Sequence, residues 1–179
     1  MFIGHFAVAF AAKRVEPSVS LGTYFAAAQL PDILWPYFLL AGVEHVTVLP
    51  GSTAFTPLRF DSYPISHSLL TVIGWGALMG SLHWWRKRRP LAAVTLALVV
   101  VSHWILDFVT HRPDMPLAPG SPVKVGLGLW NSVPATLAVE SAMFALGLWL
   151  YLSRTHARDG VGRYGVATLV ALLTAIYLG

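Results

Sequence analysis

Apolar residues fall in five long runs, at about 18–42, 67–84, 91–110, 130–152 and 163–178, separated by shorter polar stretches. A bilayer core takes about 20 apolar residues in helical form, so each run reads as a membrane crossing. Residues 2–12 are apolar as well, but at about 1.5 Å per residue they reach only about half-way across. Pro31, Asp32 and Pro36 interrupt the first long run and predict a kink or break there. The stretches 43–66 and 112–129 mix Pro and Gly with polar residues and read as connecting loops. The pattern predicts an all-α polytopic membrane bundle of about five spans plus a short N-terminal half-helix. It forms one integral membrane domain over residues 1–179, with no internal repeat or low-complexity linker.

Composition agrees with that pattern. Of 179 residues, 56% are hydrophobic and 11% charged, with a mean hydropathy of +0.65. A soluble domain would be about a quarter charged. Twelve Lys and Arg against eight Asp and Glu leave a mild basic excess, too sparse and too clustered at segment ends for nucleic-acid binding. The chain has no cysteine, which excludes disulfides and thiolate metal sites. MFIGHFAVAFAAKR has no basic residue ahead of its apolar stretch and does not read as a signal peptide. With alternating spans, Lys13, Arg14, Arg86–Arg89, Arg154, Arg158 and Arg163 share one side, which the positive-inside rule makes cytoplasmic. The loops at 43–66 and 112–129 then face outward. This predicts a multi-pass membrane protein in contact with membrane lipids, with these loops on the non-cytoplasmic side.

The ionisable residues change the picture. His103 and Asp107 are four apart and share a helix face, and His111 continues near that face before Pro113 stops the helix. At about 1.5 Å per residue these residues lie in the outer half of the bilayer. His67 opens a span at its outer end, Asp32 lies at the break of the first run, and His5 lies near the outer end of the half-helix. Glu140 lies about 15 Å below the outer end of its span. Five segments thus bring a His or a carboxylate toward a common depth. Ionisable groups inside a membrane are expensive and are paired or functional. A lone His103/Asp107 pair is explained equally well by hydrogen bonding to a neighbouring helix; the agreement in depth with Asp32, His67 and His111 argues for more. Histidines and aspartates without cysteine suit Zn²⁺, with Mn or Fe as alternatives, and the cation offsets the burial of carboxylates. Such an ion lowers the pKa of a bound water to about 7 and prepares it for attack at a phosphoryl or acyl centre.

Other residues read more plainly. Ser68 is a helix cap or a hydrogen-bond partner to a ligand rather than a nucleophile. His45, His83 and His156 read as interfacial or loop residues, and His83 with Trp84, Trp85 and the basic run forms an aromatic belt with cytoplasmic anchors.

Gly4-His5, Leu30-Pro31-Asp32, Ser66-His67-Ser68, and Ser102-His103 with Asp107 and His111 resemble the bacterial inner-membrane metal-dependent hydrolases, the family with a LexA-regulated member. The resemblance covers roughly residues 4–115. That family is in turn similar, in its order of ligands, to zinc-dependent phospholipase C and the single-strand-specific zinc nucleases, helical enzymes with three zinc ions. The likeness implies His5, Asp32, His67, His103, Asp107 and His111 as metal ligands, with Asp107 bridging. Those soluble enzymes also carry HxxxE, whereas here the corresponding residues are Thr136 and Glu140. One histidine is therefore missing, and one or two ions are expected rather than three.

The expected function is a membrane-embedded metal-dependent hydrolase, of phosphodiesterase or phosphatase type, acting on a lipid or lipid-linked phosphoester from the outer-leaflet side. Glu140 or Asp114 would serve as general base or as an orienting group, and Arg112 and Asn131 would contact phosphate. A transporter or proton relay built on the same His/Asp chain is the main alternative, and a structural protein stabilised by a bound metal is a third. Both cytoplasmic halves, GWGALMGSLHWW and LAAVTLALVVV, are almost devoid of polar groups, which favours a one-sided site.

Overall fold

Most of the chain is helical, built around one central helix that carries a single buried stripe. The computed structural model describes residues 1–157 and 159–178; Arg158 lies outside the described residues, as does the side chain of Arg163. Among the described residues there are seven α-helices: α1 (Ile3–Val15), α2 (Leu21–Ala28), α3 (Leu30–Leu40), α4 (Leu69–Lys87), α5 (Pro90–Thr110), α6 (Val133–Leu152) and α7 (Gly160–Leu178). Three of them, α5, α6 and α7, are long and apolar enough to cross a membrane. α4 has 19 residues but is diluted by Gly74, Gly76, Gly80, Ser81 and His83, and it ends in Arg86 and Lys87.

The run at 18–42 breaks into two helices at Gln29, whose backbone leaves the helical region. The break falls just ahead of Pro31, which starts a new helix without loss because the first turn needs no intrahelical N–H bond. Pro36 stays inside α3. Ser20, Ser68 and Ser132 cap α2, α4 and α6, each accepting a backbone N–H three residues on. The Ser68 hydroxyl is thus spent at the start of α4, as expected of a cap.

The two stretches read as loops carry strands, so the fold is helical with two small antiparallel sheets. β1 (His45–Val48) pairs with β2 (Leu58–Ser62), with Thr47 opposite Arg59, and β3 (Met115–Pro116) pairs with β4 (Lys124–Val125). The run HVTV is rich in β-branched residues, and Gly51 at φ +82° turns the chain between the strands.

Packing is set by small residues where backbones meet. α4 lies against α5 through Gly76 and Gly80; a methyl group there would come within 2.8 Å of the Ala97 carbonyl and 2.7 Å of the Ala93 carbonyl. Gly147 of α6 sits directly on the Ala7 backbone of α1. One apolar core gathers α1, α2 and α5 around Leu96, Val99 and Val100, and a second joins α1, α6 and α7 through Phe10, Phe144 and Leu173. The buried stripe of α5 runs through Ala92, Leu96, Val99 and Val100, then His103, Asp107 and Thr110. The stripe is apolar in its first half and polar in its second.

Candidate metal centre

Asp107 is the hub. One of its carboxylate oxygens, Oδ1, meets His5 Nε2 at 3.2 Å and the Met1 amino group; the other, Oδ2, lies 3.0 Å from His103 Nε2 and 3.8 Å from His67 Nε2. Asp32 faces it: its Oδ1 is 3.3 Å from His67 Nε2 and 3.7 Å from His103 Nε2. The His5 and His103 rings stack 3.8 Å apart and nearly parallel. His5, His67, His103 and Asp107 are buried, whereas the Asp32 side chain is 44% exposed and forms the open side.

Local structure explains the convergence. His103 and Asp107 are neighbours on successive turns of α5. His67 sits immediately before the Ser68 cap of α4, and Asp32 occupies the first turn of α3, against α5. α1 brings His5 across from its first turn, and Glu140 of α6 fixes that turn: its Oε2 accepts the backbone N–H of Phe2 at 2.8 Å and of Gly4 at 3.3 Å. These are N–H groups that a helix start leaves without intrahelical partners.

The hydrogen bonds fix two imidazole tautomers. His103 Nδ1 is 2.7 Å from the Ala28 carbonyl, which only accepts, so Nδ1 carries the proton. His67 Nδ1 is 2.7 Å from Ser66 Oγ, whose hydroxyl already donates to Glu44 at 2.6 Å; Nδ1 again carries the proton. In the neutral form of both rings Nε2 is then the lone pair, and both Nε2 atoms face carboxylate oxygens. Among the described residues, none meets the buried His103 Nε2 with hydrogen-bond geometry. Each of these two Nε2 atoms lies 3.0–3.8 Å from one oxygen of Asp32 and one of Asp107, a spacing that can accept a cation. Tetrahedral zinc with ligands at about 2.0–2.1 Å would set them about 3.4 Å apart. The donor set therefore fits a divalent ion, and His5, His103 and Asp107 form a second group of adjacent donors sharing His103 with Asp32 and His67.

The remaining expected residues lie around this cluster rather than in it. His111 ends α5, and its Nδ1 donates to Asp114 Oδ1 at 3.0 Å, leaving only Nε2 for any other partner; burial holds its ionisation below the usual imidazole range. Asp114 also accepts from the Tyr63 hydroxyl at 2.8 Å and from Arg112 Nε at 3.2 Å. Burial first, and then Asp114, push the Tyr63 phenol well above its ordinary range. Arg112 thus pairs with Asp114. Glu140 Oε1 is buried and has no hydrogen-bond partner among the described residues. Thr136, which stands where the resemblance wants a histidine, has its hydroxyl 2.9 Å from the Ser132 carbonyl at the α6 cap and 2.9 Å from the Leu129 carbonyl in the turn before it. Asn131 is exposed, in a 3-10 turn at Leu129–Asn131.

Sequence reasoning passed over Glu44. It is 1% exposed, and its partner Ser66 entered only as the first residue of the Ser66-His67-Ser68 motif. Its scarcity was the available signal: the chain has only eight acidic residues, and Glu44 lies in a stretch read as loop.

Fold and cluster together define a helical membrane protein with buried histidines and carboxylates gathered where α1 begins and α5 ends. The chain belongs to the YdjM inner membrane protein family, whose sequence profile matches residues 1–179. No curated protein and no solved structure matches it. The family assignment agrees with the motif resemblance to inner-membrane proteins and does not extend to zinc phospholipase C or the zinc nucleases.

Proposed function

We propose that this protein is a metal-dependent hydrolase of the inner membrane, acting on a phosphoester of a lipid or lipid-linked substrate from the outer-leaflet side. One observation carries the reading: the Nε2 atoms of His67 and His103, whose Nδ1 atoms are engaged elsewhere, converge on the carboxylates of Asp32 and Asp107. Asp32, His67, His103 and Asp107 would hold the main ion, zinc by donor type, and His5 with the second oxygen of Asp107 would complete that site or hold another. Such an ion supplies Lewis acidity to a phosphoryl oxygen and brings the ionisation of water toward neutrality.

The chain's own groups divide the remaining work. Asp32, half in the open, marks the side from which substrate arrives. Arg112, partly exposed and paired with Asp114, would meet a phosphate with its remaining guanidinium nitrogens. Asp114 orients His111, whose Nε2 remains available as a ligand or a proton acceptor. Glu140 holds the first turn of α1, and with it His5, in register. In the membrane, α4 would join α5, α6 and α7 as a crossing, and the broken α2–α3 pair would supply a fifth. The basic ends of α1 and α4 would lie in the cytoplasm.

A proton relay is disfavoured because the stripe of α5 below His103 presents Val100, Val99, Leu96 and Ala92, with Thr95 bonded to its own helix at Leu91. Chemistry is tested with fluorescent phosphodiester lipids in vesicles: turnover is expected from wild type and none from Asp107→Asn; equal turnover by both removes the cluster from the reaction. Orientation is tested by labelling Ser121→Cys and Arg88→Cys from outside intact cells. Reaction at Ser121→Cys alone is expected, and reaction at Arg88→Cys alone inverts the topology.

A further inference from the structure

Glu44 lies on the far side of His67 from the metal-binding atoms, at the neck where the β1–β2 hairpin joins the helices. Its two oxygens do different work. Oε1 accepts the backbone N–H of Ile65 and of Ser66, each at 2.8 Å, and so anchors the chain before α4. Oε2 has one partner, the Ser66 hydroxyl at 2.6 Å, and that hydroxyl has His67 Nδ1 as its other partner at 2.7 Å. Glu44 is 1% exposed and Ser66 0%. A buried carboxylate is costly, and anchoring two backbone N–H groups needs only one neutral acceptor. The charge is explained by what Oε2 does. A carboxylate only accepts, so it takes the serine proton and leaves the serine oxygen to accept from the imidazole.

We propose that Glu44, through the Ser66 hydroxyl, is a positioning residue that holds the His67 proton on Nδ1 and keeps the Nε2 lone pair turned toward Asp32 and Asp107. The relay rests on the metal-site reading only for its effect on affinity; its effect on the tautomer stands without an ion. Partners of this kind typically change metal affinity by about 10–100-fold when removed.

Glu44→Gln separates the relay from the anchor. The amide oxygen keeps the two backbone bonds, while the amide nitrogen, in the place of Oε2, donates to Ser66. The serine proton then turns to His67 Nδ1 and forces the imidazole proton onto Nε2. Histidine-selective ¹⁵N NMR of the metal-free full-length protein in micelles, above the usual imidazole titration range, reads this directly, with the His67 signal assigned by its loss in His67→Asn. The Nδ1–H form is expected in wild type and in Ser66→Thr, and the Nε2–H form in Glu44→Gln. Zinc titration should give a Kd raised about 10–100-fold in Glu44→Gln and Ser66→Ala and unchanged in Ser66→Thr. An Nε2–H imidazole in wild type, or the wild-type tautomer and Kd in Glu44→Gln, overturns the relay. Absence of zinc binding by wild type overturns the metal reading alone, and the tautomer then still decides the relay.

Discussion

The two halves of α5 bury the same stripe in opposite ways. Along Ala92, Leu96, Val99 and Val100 the stripe meets apolar side chains from α1, α2 and α4, and nothing there asks for a partner. One turn later it carries His103, Asp107 and Thr110, and four other elements bring polar groups to His103 and Asp107: Ala28 ends α2, Asp32 begins α3, His67 precedes α4 and His5 belongs to α1. The ionisable groups of α5 are thus buried where several chain segments converge to receive them. The difference lies in the neighbours, since both halves are equally well buried.

The comparison can be broken from either side, and Asp107→Asn should have the largest effect. It weakens the hub between His5, His67 and His103, and metal retention measured by elemental analysis is expected to fall to background. Leu96→Asn attacks the other half: an amide placed among Val99, Val100 and Val72 has no partner there and is expected to lower stability by about 2–5 kcal/mol, read as a drop in the thermal midpoint in detergent. Glu140→Ala leaves the Phe2 and Gly4 N–H groups unanswered. A loss of about 1–3 kcal/mol is expected, with zinc affinity weakened because His5 rides on that turn. Arg59→Ala is the control, since its pair with Asp61 is exposed on the hairpin; no measurable change in midpoint or metal content is expected.

Much of this was legible along the chain. The i, i+4 spacing puts His103 and Asp107 on one face whatever surrounds them, Pro113 stops the helix after Thr110, and basic residues mark the ends of α1 and α4. Depth counting brought His5, Asp32 and His67 to the same level because helical rise is nearly constant. Direction was harder to read. Nothing local says that His111 turns its Nδ1 to Asp114, or that Arg112 does the same, because Tyr63 and the hairpin close over them only in the folded chain. The break at Gln29 fell before the prolines rather than at them, because a proline in the first helical turn is compatible with a helix start. Glu44 was invisible for a related reason: its partner Ser66 is 22 residues away, across a hairpin that the polar composition disguised as loop.

The central claim is that the lone pairs of His67 and His103 and the carboxylates of Asp32 and Asp107 hold a divalent ion. Elemental analysis of protein purified without chelators tests it most directly. The account predicts about one or two equivalents of zinc, manganese or iron in wild type and their loss in His103→Ala, with the helical content retained. Equal, negligible metal in both proteins would contradict it.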